Sequence, residues 1–514
     1  MKKLLTLLVS LLIGSMLTAQ IAYSPLVDSL KNEITEAEIT SILEQLSGVV
    51  EVSIGGQPYT LVTRHSYSAS NPKAAEWIYE QFEALGIPVE YHYFNSNGEN
   101  VVATITGSEF PDQQYIICAH YDDMPSGNLA PGADDNASGV VGVLETARLI
   151  KDLDLKYTVK FIAFDEEEQG LIGSHAYADE ASSNGDDILG VLNLDMIAYD
   201  SDSDYEMSIS TEPGSADFTA EYTSVLGTYE FDLTYNFITT GASDHSPFWN
   251  NGYQAILAIE DWNDFNNAYH TTGDVIENCN IPYFKQMVQS AVATMASLSL
   301  DMKMELVHQP LPSGNFTNDR EAVLVINSNH SIGTGSNSPQ LYYSIDGGSF
   351  TALQPYATSL DTFFFMIPGQ SMDTEVEYYL AAQNADANMV STLPAGGRGM
   401  NPPGTVMPIN YFSYTILFPL MISSYERPGI IIDQNYPNPF REETTFAFVL
   451  DISSRVSISI IDMMGREVAQ VTDRPYDAGS HQIQWNADGL PQGQYFFKVQ
   501  SDDHVEVKSM VVVK

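Results

Sequence analysis

Cysteine is nearly missing. Cys118 and Cys279 are the only two in 514 residues, so a disulfide framework is excluded and one bridge is the maximum. Cys118 sits inside an apolar strand pattern, YIICA, which points to a buried free thiol. Stability must then come from cores or from metal. Basic residues are scarce too: 21 Lys plus Arg stand against 67 Asp plus Glu, a net charge of −46. That excess repels nucleic acid and anionic lipid, so neither is expected as a partner, and it favours solubility and cation binding. Long apolar runs are also lacking. The one candidate, Leu4 to Leu17 behind Lys2 and Lys3, is shorter than the ~20 residues that span a bilayer. It reads as a secretory signal peptide over residues 1–19, and no integral membrane segment is expected.

What remains is globular, 44% hydrophobic and 11% aromatic, and too long for one core at ~150 residues per domain. Up to about residue 300 helical and strand patterns alternate. Ala74 to Leu85 predicts an amphipathic helix, stopped by Gly86 and Pro88. Ser138 to Ile150 is apolar nearly all round and predicts a buried helix. Tyr115–Ala119, Thr158–Phe164, Val191–Asp195 and Ala255–Ile259 predict strands covered on both faces. Together they predict an α/β fold, a mixed and mostly parallel sheet sandwiched by helices. Beyond residue 304 short strands such as Tyr342–Ile345, Phe363–Ile367 and Val376–Ala382 alternate with turn residues, and SIDGGSF reads as a hairpin turn. Two all-β sandwich domains are expected there. The expected organisation is a catalytic domain at 20–304, a β-sandwich at 305–415, a linker at 416–434 and a last sandwich at 435–514.

In an open parallel sheet, ligands bind beyond the carboxyl ends of the strands. The residues at those ends form one set: His120 after the first strand, Asp134 and Asp135 in PGADDNASG, the run Asp165-Glu166-Glu167-Glu168, then Asp195 and His270. Two imidazoles and several carboxylates are ligands that zinc accepts. Two zinc ions ~3.5–4 Å apart need a shared carboxylate plus further ligands on each. On the residues alone, each histidine could equally be a helix cap or a surface group.

Six segments carry a resemblance: AHYDD (119–123), PGADDNASGV (131–140), DEEEQGLIGS (165–174), LNLDM (192–196), ASDHSPF (242–248) and AYHTTGD (268–274). In this order they resemble the secreted co-catalytic dizinc aminopeptidases, whose wider family includes glutamate carboxypeptidases and glutaminyl cyclases. The resemblance implies two Zn2+ per catalytic domain. His120 and Asp195 would bind one, Glu168 and His270 the other, and Asp135 would bridge. It implies that Asp122 orients the His120 imidazole, that Glu167 is the general base, and that Tyr269 stabilises the oxyanion or merely packs. Asp134, Asp165, Glu166, Asp244, His245, Arg64 and His65 are read as structural. The implied reaction is removal of N-terminal residues from peptides or proteins. Carboxypeptidase, glutaminyl cyclase and a non-catalytic adhesion protein stand as alternatives.

YPNPF (436–440), ISIIDMMGRE and GLPQGQYFFKV resemble the C-terminal sorting domain of proteins exported by the type IX secretion system. This implies a secreted or cell-surface protein whose partners are the secretion machinery and peptide substrates. A monomer is expected. The middle sandwich resembles fibronectin-like or immunoglobulin-like modules.

Overall fold

The computed structural model of this chain describes residues 20–417 and 430–512, except 439, 463–465, 488, 492 and 502–503. The expected signal peptide and the expected linker residues 418–429 lie outside the described residues. No helix among the described residues is long and apolar enough to cross a membrane. The chain divides into two units, Met1–Phe418 and Pro419–Lys514.

The first unit is built on an eight-stranded sheet. Its four central strands, in the order Tyr157–Phe164, Phe110–His120, Asp187–Leu194 and Ala255–Glu260, run parallel. Glu99–Ile105 and Glu206–Ser210 flank them antiparallel, and Val89–Tyr93 and Thr234–Ile238 form the edges. The sheet is mixed and mostly parallel at its centre, as the sequence predicts. Alternate side chains of one strand enter different cores. Ile117 and Ala119 pack with the helices Gly139–Ile150 and Ile281–Ser299, whereas Ile116 and Cys118 pack with Tyr177, Ala178 and Phe248 on the other face. Burial of both faces explains why these strands read as unbroken apolar runs. Cys118 is a buried free thiol, and Cys279 is also unpaired.

The first predicted helix spans Asn71–Ala84 and starts earlier than its apolar pattern, because Pro72 is well suited to a first turn. The chain leaves it through Gly86, whose φ is +76°. The edge strands escaped the sequence reading, because half-exposed residues such as Glu90 and His92 carry no apolar run.

From Met304 onward two antiparallel sheets share a core that includes Leu324, Phe365, Leu341 and Leu380. The predicted hairpin joins Gln340–Ile345 to Thr351–Leu353, with Asp346 and Gly347 left-handed in the turn. Residues 20–24 stitch this sandwich to the α/β part. Ile21 lies in the α/β core and Ala22 in the sandwich core. Ile21 N–H donates to Ser224 Oγ at 2.8 Å, Ala22 N–H to the Met302 carbonyl at 2.8 Å, and Tyr23 N–H to that of Val390 at 2.8 Å.

The second unit has two antiparallel sheets around Phe446, Ile458 and Phe497. Ile430–Ile432, within the stretch expected as linker, pairs with Glu443–Leu450 in one of them.

Candidate metal centre

The four central strands end on one rim, and each end delivers a candidate ligand. His120 closes its strand, and Asp195 follows Leu194 with its N–H bonded to the Ala258 carbonyl at 3.2 Å. Glu167 and Glu168 stand in the turn after Phe164, and His270 lies in the loop after Glu260 with a left-handed φ of +57°. Asp135 comes from the loop before Gly139–Ile150. That loop bends at Gly132, where φ is +46° and an added Cβ would meet the Asp135 carbonyl oxygen at 2.4 Å.

Asp135 stands between the two imidazoles. Its Oδ1 is 3.3 Å from His120 Nε2, and its Oδ2 is 3.3 Å from His270 Nε2. Asp195 Oδ1 lies 3.3 Å from His120 Nε2, and Glu168 Oε2 lies 2.8 Å from His270 Nε2. Two groups of ligand atoms result, His120–Asp135–Asp195 and Asp135–Glu168–His270. Glu168 Oε1 is buried and has no hydrogen-bond partner among the described residues. An orphaned carboxylate oxygen beside an imidazole suits a divalent cation, so this donor set fits zinc at both groups. Glu167 belongs to neither group, although it lines the same cleft.

Charge crowding shapes the site. Burial works against protonation of His270, yet hydrogen bonds to Asp135 and Glu168 hold it up to about 10. His120 is likewise held well above its usual value, with Glu167 and Asp195 outweighing burial. Burial would raise Asp135, but the two imidazoles bring it below the ordinary carboxylate range. Burial and then the Asp135 charge push Glu168 up to about 7. Glu167 is raised by burial, opposed by His120 and reinforced by Asp244. A carboxylate that lines the cleft but belongs to neither group of ligand atoms is placed to exchange a proton with a molecule bound there.

Supporting residues come from distant segments. Asn136 Nδ2 donates to the Leu194 carbonyl at 2.9 Å, joining the Asp135 loop to the Asp195 strand. Ser243 Oγ donates to Asp195 Oδ2 at 2.6 Å. Asp274 Oδ2 accepts the Asp135 N–H at 3.0 Å. Asp134 accepts Ala198 N–H at 2.8 Å and Asn266 Nδ2 at 3.1 Å. Asp165 accepts Asn71 Nδ2 at 2.9 Å, and Glu166 accepts Asn95 Nδ2 at 2.8 Å. Arg64 is fully buried and donates to the carbonyls of Leu46, Tyr121, Pro131 and Gly132 at 2.6–2.9 Å. His245 Nε2 donates to the Thr240 carbonyl at 2.8 Å, and His65 Nδ1 accepts Tyr67 N–H at 3.1 Å. The roles of Asn136, Ser243 and Asp274 went unread in the sequence. The segments ADDN, ASDH and TTGD contain them, but a Ser or Asn carries no signal of what it will bond.

Beside the ligands, Met196, Leu257, Ile259, Trp262 and Phe265 form an apolar wall, and Tyr269 also lines the cleft.

Residues 100–295 match the model of peptidase family M28, and residues 434–514 match that of a secretion system C-terminal sorting domain. A probable zinc metalloprotease of Phaeosphaeria nodorum is 26% identical over 352 residues, covering 53% of this chain and 71% of that protein. Leucine aminopeptidase 1 of Coccidioides posadasii is 28% identical over 295 residues, covering 51% and 73%. Among solved structures, the LapA aminopeptidase of Legionella pneumophila matches at a TM-score of 0.49 and 22% identity, covering 55% and 76%.

Proposed function

The chain carries a zinc metallopeptidase domain of family M28 and a C-terminal sorting domain that addresses it for export to the cell surface or beyond, and from this premise we propose a secreted dizinc aminopeptidase. The observation that carries the reading is Asp135, with one carboxylate oxygen turned to each imidazole. His120, Asp195 and Asp135 would hold one zinc, and Asp135, Glu168 and His270 would hold the other. Bound there, the two ions supply Lewis acidity and make a water acidic enough to attack a carbonyl near neutral pH. Glu167 takes the proton from that water and returns it to the leaving amine. The Tyr269 hydroxyl donates to the developing oxyanion. The apolar wall receives the first side chain of the substrate.

Charge supports cleavage from the amino end. The loops at 121–132, 165–171, 195–205, 239–244 and 261–280 contain no Lys or Arg. Arg64, which binds the carbonyls of Tyr121, Pro131 and Gly132 at the ends of the first of these loops, is buried and engaged by those carbonyls, that of Leu46 and the Asp123 carboxylate. A carboxypeptidase must hold a substrate carboxylate, which calls for a cation. A substrate ammonium instead finds the carboxylates of Asp135, Glu167 and Asp195 in the cleft.

The test uses leucine-p-nitroanilide, its N-acetylated form and a chelator. Hydrolysis of the free-amine substrate alone, lost on chelation and restored by two zinc equivalents, is expected. Hydrolysis of the blocked substrate would overturn the aminopeptidase reading, and one zinc per chain would favour the cyclase relatives.

A further inference from the structure

We propose that Asp122, seated by Ser66, positions Glu167 and Glu168 by gripping the backbone of their turn. The inference rests on the zinc reading only in taking those two glutamates as the residues to be positioned.

Asp122 is fully buried. Its Oδ1 accepts the Glu167 N–H at 3.1 Å. Its Oδ2 accepts the Glu168 N–H at 3.2 Å and the Ser66 hydroxyl at 2.8 Å. The His120 imidazole is less dependent on this carboxylate. His120 Nδ1 lies 3.5 Å from Asp122 Oδ1 but 3.1 Å from the Asp122 backbone carbonyl, which is the better acceptor. The imidazole's shorter contact is therefore to main chain, while both oxygens of the carboxylate accept an amide of the turn.

The turn is shaped for an anion. Two successive N–H groups can converge on one carboxylate where a left-handed residue adjoins a right-handed one, forming a backbone concavity that binds negative charge. Glu166 does so, with φ at +56°. A left-handed glutamate is unfavourable by itself, and the charge-assisted bonds to Asp122 offset it. On its far side the turn closes on itself, with Gly170 and Leu171 N–H both 2.8 Å from the Glu167 carbonyl. The Asp122 side is the only external grip on the Glu167 and Glu168 amides among the described hydrogen bonds. One carboxylate thus fixes the metal ligand and the proton carrier together and ties both to the loop that follows His120.

The test is amide hydrogen exchange in the full chain after zinc removal, comparing wild type with Ser66→Ala and Asp122→Asn. The Glu167 and Glu168 amides should exchange on the order of tenfold faster in Ser66→Ala and faster still in Asp122→Asn, as losing a bond to a charged group predicts, while the central strands stay protected. Zinc affinity of the Glu168–His270 group should fall in both variants. Unchanged exchange at these amides would overturn the proposal, whatever happens to zinc at His120 and Asp195. Should Asp122→Asn fail to fold, Ser66→Ala decides alone, because Ser66 bonds the carboxylate without touching His120. Exchange is read without substrate, so failure of the aminopeptidase reading would show separately, as absent turnover of leucine-p-nitroanilide.

Discussion

The ring of Tyr269 lies flat against the imidazole of His270, with centroids 3.6 Å apart and planes 23° from parallel. Phe265 meets the same tyrosine edge-on at 5.2 Å. Ring contacts hold Tyr269 in place, and burial raises its hydroxyl pKa, so the group remains a hydrogen-bond donor at working pH. Tyr269→Phe keeps the stack and removes the donor. It should lower kcat by about 10²-fold, the scale of one oxyanion donor, with zinc content unchanged. A tyrosine that only packs would leave kcat at the wild-type value.

Glu167 and Glu168 are neighbours to which the proposed reaction gives separate tasks. Glu167→Gln should lower kcat by roughly 10²–10⁴-fold while both zinc ions stay bound. Glu168→Ala should lose zinc from the group that contains His270. Metal analysis of the two variants separates the roles, and full zinc in both would refute the assignment.

Gly132 is required by geometry. Its φ is +46°, and a Cβ there would meet the Asp135 carbonyl at 2.4 Å and Arg64 Nη2 at 2.8 Å. Gly132→Ala should cost about 1–3 kcal/mol of stability and displace Asp135. Thermal melting together with weakened zinc binding would show both effects.

Asp165 predicts a pH dependence. Burial, with the Asp122 charge adding, pushes its carboxyl up to about 7, against ~3.9 in the unfolded chain. The folded state therefore binds this proton more tightly than the unfolded state. Stability from the group is present below the unfolded pKa and is lost as pH rises from about 4 to about 7. Asp165→Asn can still accept from Asn71 and the Glu166 N–H, both of which bond Oδ1. Its stability relative to wild type should rise between pH 5 and pH 8, measured by urea unfolding. A pH-independent difference would count against a shifted Asp165.

Residues 20–24 belong to two cores at once. Ala22→Asp would place an unpaired charge among Met304, Leu324 and Phe365 and should cost about 3 kcal/mol or more. Calorimetry should show the whole first unit weakened rather than a detachable leader lost. Wild-type melting of the variant would mean that the segment is dispensable.

Much of this molecule was legible in the chain. The apolar runs at 115–119 and 158–164 determine strands buried on both faces, because only such strands lack alternation. The acids and histidines that follow them are chemically distinctive and sit where parallel strands end, which marked them as candidates, and the resemblance gave each its proposed role. Tertiary structure alone decided what acts on that set. Ser66, Asn71, Asn136, Ser243 and Asp274 make their bonds to residues 48–139 positions away, and no local pattern announces such a partner. The same holds for Asp122. The resemblance gave it an imidazole to orient, and folding also brings the Glu167 and Glu168 amides to its carboxylate across 45 and 46 residues. Hydrophobic periodicity is a property of neighbours in the chain. A hydrogen bond between remote loops exists only once the sheet has set their ends side by side.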